Sequence, residues 1–314
     1  MRSQLVRLAA YCVAALFSCV AFSADVPGAR ELRDCDVCPA MVVVPAGSFT
    51  MGTVADGEEG RPESPVHIVR LRKPFALGKY EVTNAEFRAF VEATGYRVAP
   101  GCRIQDKVVG PRGRIEWRDD PAADWQSPGF LEPLQNDRPV VCVGRVDALA
   151  YVAWLAQRTG QRYRLPSESE WEYAARAGGA GSYPWGSNPD VGCRHANMYD
   201  RSGHARLEFG WSFADCDDSQ VELAPVGRYA PNAFGLHDMI GNVWEWNADC
   251  YRQTYDGAPA DGSPVTVPGC TLWSVRGGAW MTRPSRNRLT FRGRDPNDAR
   301  YSYFGIRVAR DLRP

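Results

Sequence analysis

The chain has 314 residues with 37 Lys+Arg against 37 Asp+Glu, a balance that excludes a general nucleic-acid binder, whose phosphate contacts require a basic excess. Thirty glycines, 23 prolines and ten tryptophans predict a turn-rich fold pinned by aromatic side chains, and the length suits one large domain or two ordinary ones.

At the N-terminus, Met1, Arg2 and Arg7 make a short basic start, and Leu8 to Phe22 is apolar apart from Ser18. A permanent membrane helix needs about 20 apolar residues. The run is therefore read as a signal peptide, residues 1–23, cleaved after Ala21-Phe22-Ser23, where small residues occupy the two positions a signal peptidase reads. A rival motif, Leu16-Phe17-Ser18-Cys19, resembles a lipobox that would anchor the protein at Cys19, but Phe17 is bulky for it. No later stretch is long enough to span a membrane, so the expectation is a periplasmic or secreted protein without a transmembrane segment. Cleavage removes Cys12 and Cys19 and leaves eight cysteines, an even number that reads as a disulfide framework in an exported chain. Cys35 and Cys38 form a CxxC, a spacing also used for redox or zinc chemistry. No second CxxC exists, and the four histidines are scattered. Connectivity stays open, with Cys250–Cys270 across one loop the preferred pair and Cys193–Cys216 a second loop closure suggested by proximity.

Residues 24–40 read as a lead-in. The first strand is Met41 to Pro45, a Val-rich run ended by Ala46-Gly47, and Ser48 to Met51 continues the sheet. Asp56 to Ser64 is an acidic, Gly-containing loop, after which Val66 to Leu71 and Phe75 to Tyr80 read as a second strand pair. Thr83-Asn84-Ala85-Glu86 is a capping box. Phe87, Phe90 and Val91 follow it at helical spacing, and Gly95 supplies a left-handed stop. Asp147 to Arg158 places Leu149, Val152 and Leu155 on one helical side before Gly160. Ser167-Glu168-Ser169-Glu170 is a second capping box, leading through Trp171, Ala174 and Ala175 to Gly178. Ser167, Glu168 and Glu170 look catalytic in isolation, but the cap explains them. Beyond this helix, short strands and Gly/Pro/Asn turns dominate. No internal repeat or low-complexity linker divides the chain.

Several motifs then fall in a recognisable order: Val44-Pro45-Ala46-Gly47-Ser48-Phe49-Thr50-Met51-Gly52, Tyr80-Glu81-Val82-Thr83-Asn84, and Arg164-Leu165-Pro166-Ser167 running on to Trp171-Glu172-Tyr173. Pro184-Trp185-Gly186, Gly235-Leu236-His237-Asp238-Met239-Ile240-Gly241-Asn242-Val243-Trp244-Glu245-Trp246, Arg276-Gly277-Gly278-Ala279-Trp280 and Phe304-Gly305-Ile306-Arg307 follow. Together they closely resemble the formylglycine-generating-enzyme, or sulfatase-modifying-factor, domain over residues 41–312. The resemblance implies a single irregular α/β (α+β) domain with a C-type-lectin-like core. It also implies two calcium sites. Asn197, Met198, Asp218 and Gln220 match the first, and Asp238, Gly241, Val243 and Glu245 match the second, with Met198, Gln220, Gly241 and Val243 contributing backbone carbonyls. Calcium accepts such mixtures of hard oxygen ligands.

The enzymes of the family bind copper(I) through two cysteines that follow the Gly-Gly-aromatic motif, thiolates suited to that soft ion. Counted from Gly278, the first position falls on Thr282, and the second falls on Pro284 or Asn287. No copper is expected, and formylglycine synthesis is not the expected activity. The iron-dependent sulfoxide synthases of the family draw ligands from an N-terminal helical domain that has no counterpart here. What remains is a binding or regulatory role on the C-terminal loop surface. Trp280, Arg283, Arg286 and Arg288 are the candidate ligand-binding residues, with Arg292 and Arg294 nearby, for a protein, small-molecule or glycan ligand; aromatic and guanidinium groups of this kind anchor acidic partners. Trp280 and Phe291 as core residues is the competing reading. Related periplasmic members that regulate secretion systems through membrane-bound kinases make a protein partner an implied class. A copper-free oxidase or tailoring enzyme, like the family member associated with pyoverdine maturation, is the alternative.

Overall fold

The computed structural model describes residues 29–54, 62–109 and 115–312. The predicted signal peptide with Cys19 and the Asp56–Arg61 part of the acidic loop lie outside them. Helices start where the sequence supplies its own caps. α1 (Asn84–Thr94) begins at Thr83, whose hydroxyl accepts the Glu86 N–H at 3.2 Å while the Glu86 carboxylate accepts the Thr83 N–H at 2.8 Å. Gly95 ends it in the left-handed conformation. α2 (Arg145–Thr159) starts earlier than predicted, because the Asp147 carboxylate accepts the Gly144 N–H at 2.7 Å. Its buried stripe also differs from the predicted one: Leu149 is 40 % exposed, whereas Tyr151 and Trp154 turn inward and meet Phe90 at ring distances of 5.7 and 5.6 Å. α3 (Glu168–Arg176) has the Ser167–Glu170 box and stops at Ala177, one residue before the expected glycine. A short α4 (Arg201–Arg206) is capped by Asp200.

Strands are numbered in chain order. An antiparallel five-stranded sheet runs β1 (Glu31–Leu32), β2 (Met41–Val44), β5 (Phe75–Gly78), β13 (Ala309–Asp311) and β8 (Arg162–Arg164). The lead-in is thus part of the domain, since β1 extends this sheet. A second sheet has the order β11 (Gly293–Asp295), β10 (Trp273–Arg276), β9 (Trp244–Cys250) and β12 (Phe304–Gly305), with β12 parallel to β9. β3 (Gly47–Met51) and β4 (His67–Leu71) form a separate ribbon, and β6 (Cys102–Val109) and β7 (Ile115–Asp120) form a hairpin. β3 therefore does not continue the first sheet, and β4 and β5 do not pair with each other. The reason is burial. β4 alternates between exposed and buried positions, as a one-sided ribbon does, whereas all four residues of β5 are buried, as a central strand requires.

Ionic contacts inside the core tie α3 to the second sheet. Arg276 is fully buried between Glu168 and Glu172 at 2.8 and 2.6 Å, Arg292 forks onto Glu168, and Arg307 pairs with Glu245 at 2.8 Å. The Trp171 indole N–H donates to Glu245 at 2.6 Å. Four disulfides, Cys35–Cys38, Cys102–Cys142, Cys193–Cys216 and Cys250–Cys270, engage all eight cysteines outside the predicted signal peptide; the preferred pair Cys250–Cys270 and the loop closure suggested by proximity, Cys193–Cys216, are among them. The CxxC is a disulfide of the lead-in. Among the described residues no helix is long and apolar enough to cross a membrane.

Candidate functional site

A cleft of about 330 Å³ opens where the segment after Gly277-Gly278 meets the ends of β11 and β12, and Arg103 on β6 and Trp211 also line it. Gly278 has φ 79°, and a Cβ there would overlap the Asn287 amide, so the second glycine of the motif lets the segment fold back on itself. The turn that follows is held by Thr282. Its hydroxyl accepts the Ala279 N–H at 3.0 Å and the Trp244 indole N–H at 3.2 Å, and its carbonyl accepts the Asn287 amide at 3.1 Å. Pro284 then starts a single 3-10 turn, Pro284–Arg286. The positions implied for the two copper thiolates are thus an alcohol and, by either alignment, a proline or an amide. Met281 supplies the soft donor of the lining, but one thioether without a thiolate does not make the copper(I) site of the family.

Arg283 and Arg286, two of the four candidate ligand residues, line the cleft. Of the other two candidate ligand residues, Trp280 is buried and Arg288 is engaged in an ion pair. Trp280 is 1 % exposed and packs against Phe130 and Phe209 with ring distances of 6.1 and 5.9 Å; as a core residue it is not a contact for a surface ligand. Arg288 forks onto the buried Glu63 carboxylate at 2.5 and 2.8 Å, a structural ion pair. Arg292 is likewise committed to Glu168. Sequence reasoning missed the walls of the cleft. Trp211 stacks on Phe209 at 5.0 Å and donates its N–H to the Met281 carbonyl, and Tyr301 stacks on Tyr303 at 5.1 Å. The Tyr301 hydroxyl donates to Asp295 at 2.9 Å. Burial, reinforced by Asp295, pushes the Tyr301 phenol up. The alternation Tyr301-Ser302-Tyr303 was the available signal.

The two oxygen sets implied for calcium are neighbours. Asn242 donates its N–H to the Asn197 carbonyl at 2.8 Å, the Asn197 amide donates to Asn242 at 3.1 Å, and Gly241, φ 82°, approaches the Asn197 carbonyl too closely for any Cβ. Each set holds a buried acceptor with no hydrogen-bond partner, Asn197 Oδ1 in the first and Asp238 Oδ1 in the second. The remaining groups are engaged. Asp218 accepts the Gln220 N–H at 2.7 Å and the Tyr229 hydroxyl at 2.8 Å, and the Gln220 carbonyl accepts the Ser202 hydroxyl at 3.1 Å. The Met198 side chain is buried in the core, which leaves only its carbonyl for a ligand role. Glu245 accepts from Arg307 and Trp171. Burial and then Asp200 push Asp218 up to about 7, and burial, aided by Glu245 and opposed by Arg307, pushes Asp238 up to about 6. Among the described residues no three His, Cys, Asp or Glu side chains are grouped to hold a metal, so a cation here would depend on carbonyl and amide oxygens as much as on carboxylates. Hard-oxygen donors of this kind are the type that calcium accepts, whereas a soft ion would need thiolates.

The sulfatase-modifying factor enzyme 1-like domain model matches residues 29–312. The chain is 33% identical over 304 residues to the formylglycine-generating enzyme of Thermomonospora curvata, covering 88% of this chain and 95% of that protein. It is 34% identical over 299 residues to the inactive C-alpha-formylglycine-generating enzyme 2 of Mus musculus, covering 86% and 85%. Among solved structures, PvdO from Pseudomonas aeruginosa superposes with a TM-score of 0.74 at 38% identity, covering 90% of this chain and 98% of PvdO. The α+β architecture with a C-type-lectin-like core is therefore of the formylglycine-generating-enzyme type, and the chain belongs to the sulfatase-modifying-factor, or formylglycine-generating-enzyme, domain family.

Proposed function

We propose that the protein is an exported binding or regulatory member of this family that takes its ligand in the cleft after Gly278 and carries out no copper oxidation. One observation carries the reading: the turn that would hold two thiolates holds Thr282 and Asn287, the Asn287 amide donating to the Thr282 carbonyl, inside a cleft lined by arginines and aromatic rings. The apolar N-terminal run and the four disulfides support export to an oxidising compartment. Calcium is proposed as a structural ion, held by Asn197, Asp218 and the Met198 and Gln220 carbonyls in one site and by Asp238, Glu245 and the Gly241 and Val243 carbonyls in the other. There it would fix loops that burial alone does not.

The test is retention of periplasmic proteins and metabolites by the immobilised chain, identified by mass spectrometry and compared with Arg283→Ala/Arg286→Ala. Loss of a central anchor costs about 2 kcal/mol, roughly thirtyfold in affinity, so a ligand held by the native chain should be lost by the variant at unchanged melting temperature. Equal retention by both would sink the reading. A copper-free tailoring enzyme is the second reading, favoured by the Tyr301–Asp295 pair inside the cleft, a fixed hydroxyl and carboxylate that would orient a bound metabolite. It predicts oxygen uptake or turnover of a retained metabolite, reduced by the same substitutions.

A further inference from the structure

The lining of the cleft also defines a ligand class, and this step rests on the cleft being the ligand site. We propose that it selects an anion carried on a flat ring, an aromatic carboxylate, sulfonate or phosphate. Five lining side chains are charged: Arg103, Arg283, Arg286, Arg294 and Asp295. Four guanidinium groups stand there against one carboxylate, which accepts the Tyr301 hydroxyl, and Arg103 also forks onto Asp119 with two contacts of 3.0 Å. Arg283 and Arg286 bracket one 3-10 turn, and Arg294 lies on β11 with its guanidinium 4.9 Å above the Tyr251 ring. Guanidinium groups recognise planar or tetrahedral oxyanions with two parallel N–H bonds and stay charged at every physiological pH.

Beside Val275 and Met281, the apolar part of the lining is aromatic, and its rings are fixed. Trp211 is held by its stack on Phe209 and its bond to the Met281 carbonyl, Trp244 by its bond to Thr282, and Tyr301 by its stack on Tyr303 and its bond to Asp295. Rings held in place by second partners can stack a flat ligand without first losing rotamer freedom. The volume of about 330 Å³ lies at the small end of ligand pockets, which suits one or two fused rings.

The experiment titrates the full chain by calorimetry with three probes of one shape: 2-naphthalenesulfonate, neutral 2-naphthalenemethanol and cationic 2-naphthylmethylammonium. The sulfonate should bind at least about tenfold tighter than the alcohol, and its affinity should fall as salt rises. Arg283→Ala/Arg286→Ala should remove that preference and leave the alcohol unchanged, while Arg283→Lys/Arg286→Lys should restore part of it. If the alcohol binds as tightly as the sulfonate and Trp211→Ala abolishes both, the cleft is a ligand site and the anion selection is wrong. Preference for the cation, or no binding of the sulfonate, overturns the selection as well, and the retention experiment above judges the cleft itself.

Discussion

Arg276 shows how a buried charge becomes structural. Its guanidinium reaches Glu168, Glu172, the Tyr255 hydroxyl and the Leu289 carbonyl, and it lies 5.2 Å from the centre of the Trp171 ring. Removing one partner from such a set leaves uncompensated charge in a dry site, so Arg276→Ala should lower the unfolding free energy by about 3–5 kcal/mol in urea titration; a loss below about 1 kcal/mol would contradict the role. Burial opposes ionisation of Glu168, but Arg292 and Arg276 outweigh it and hold the carboxyl down at about 2, below its ordinary 4.5. A depressed folded-state value contributes stability above pH 4.5 that is lost as pH falls towards 2. The melting temperature should therefore drop across that window, and the drop should be shallower in Glu168→Gln. An identical pH profile for the variant would count against the assignment. At this scale the sequence separated the arginines poorly. Arg283 and Arg288 look alike in the chain, and nothing near Arg288 in the sequence announces its pairing with the distant Glu63.

Among the elements, the features written locally were legible. Both capping boxes use residues three apart, so their geometry follows from the sequence of a single turn, and Thr83→Ala should destabilise the chain by about 1 kcal/mol, measured by chemical denaturation. No change in that variant would mean the Thr83 bond has no net value. Strand pairing was less legible, because β4 and β5 are close in sequence but their partners are set by which faces find burial elsewhere. The hairpin of β6 and β7 went unread for a related reason. Its first strand alternates polar and apolar residues only weakly, and it is fixed by partners far along the chain: Cys142 through a disulfide, and Arg300 and Ser302 through backbone bonds. The cleft shares this character. Its turn from Met281 to Arg286 is contiguous and contains two of the candidate ligand residues, while Arg103, Trp211 and Tyr301 come from three separate segments that only the fold assembles.

For the molecule as a whole, much of the chain is loop, and loops of this kind are stabilised by cross-links and ions more than by regular hydrogen bonding. A ligand bound only to the native state stabilises by mass action, so chelator should lower the melting temperature and excess calcium should restore it. Asp238→Asn, which alters the carboxylate with an unpartnered oxygen, should shrink that response. The same curve with chelator and with calcium would count against a structural ion. On the reading proposed above, this family member has exchanged oxidation chemistry for recognition at the same turn. The most direct test of that exchange is incubation of the purified protein with copper(I), oxygen and a peptide containing Cys-x-Pro-x-Arg, followed by detection of aldehyde. No formylglycine above a protein-free control is the predicted result; formylglycine formed at a rate that scales with protein concentration would contradict it.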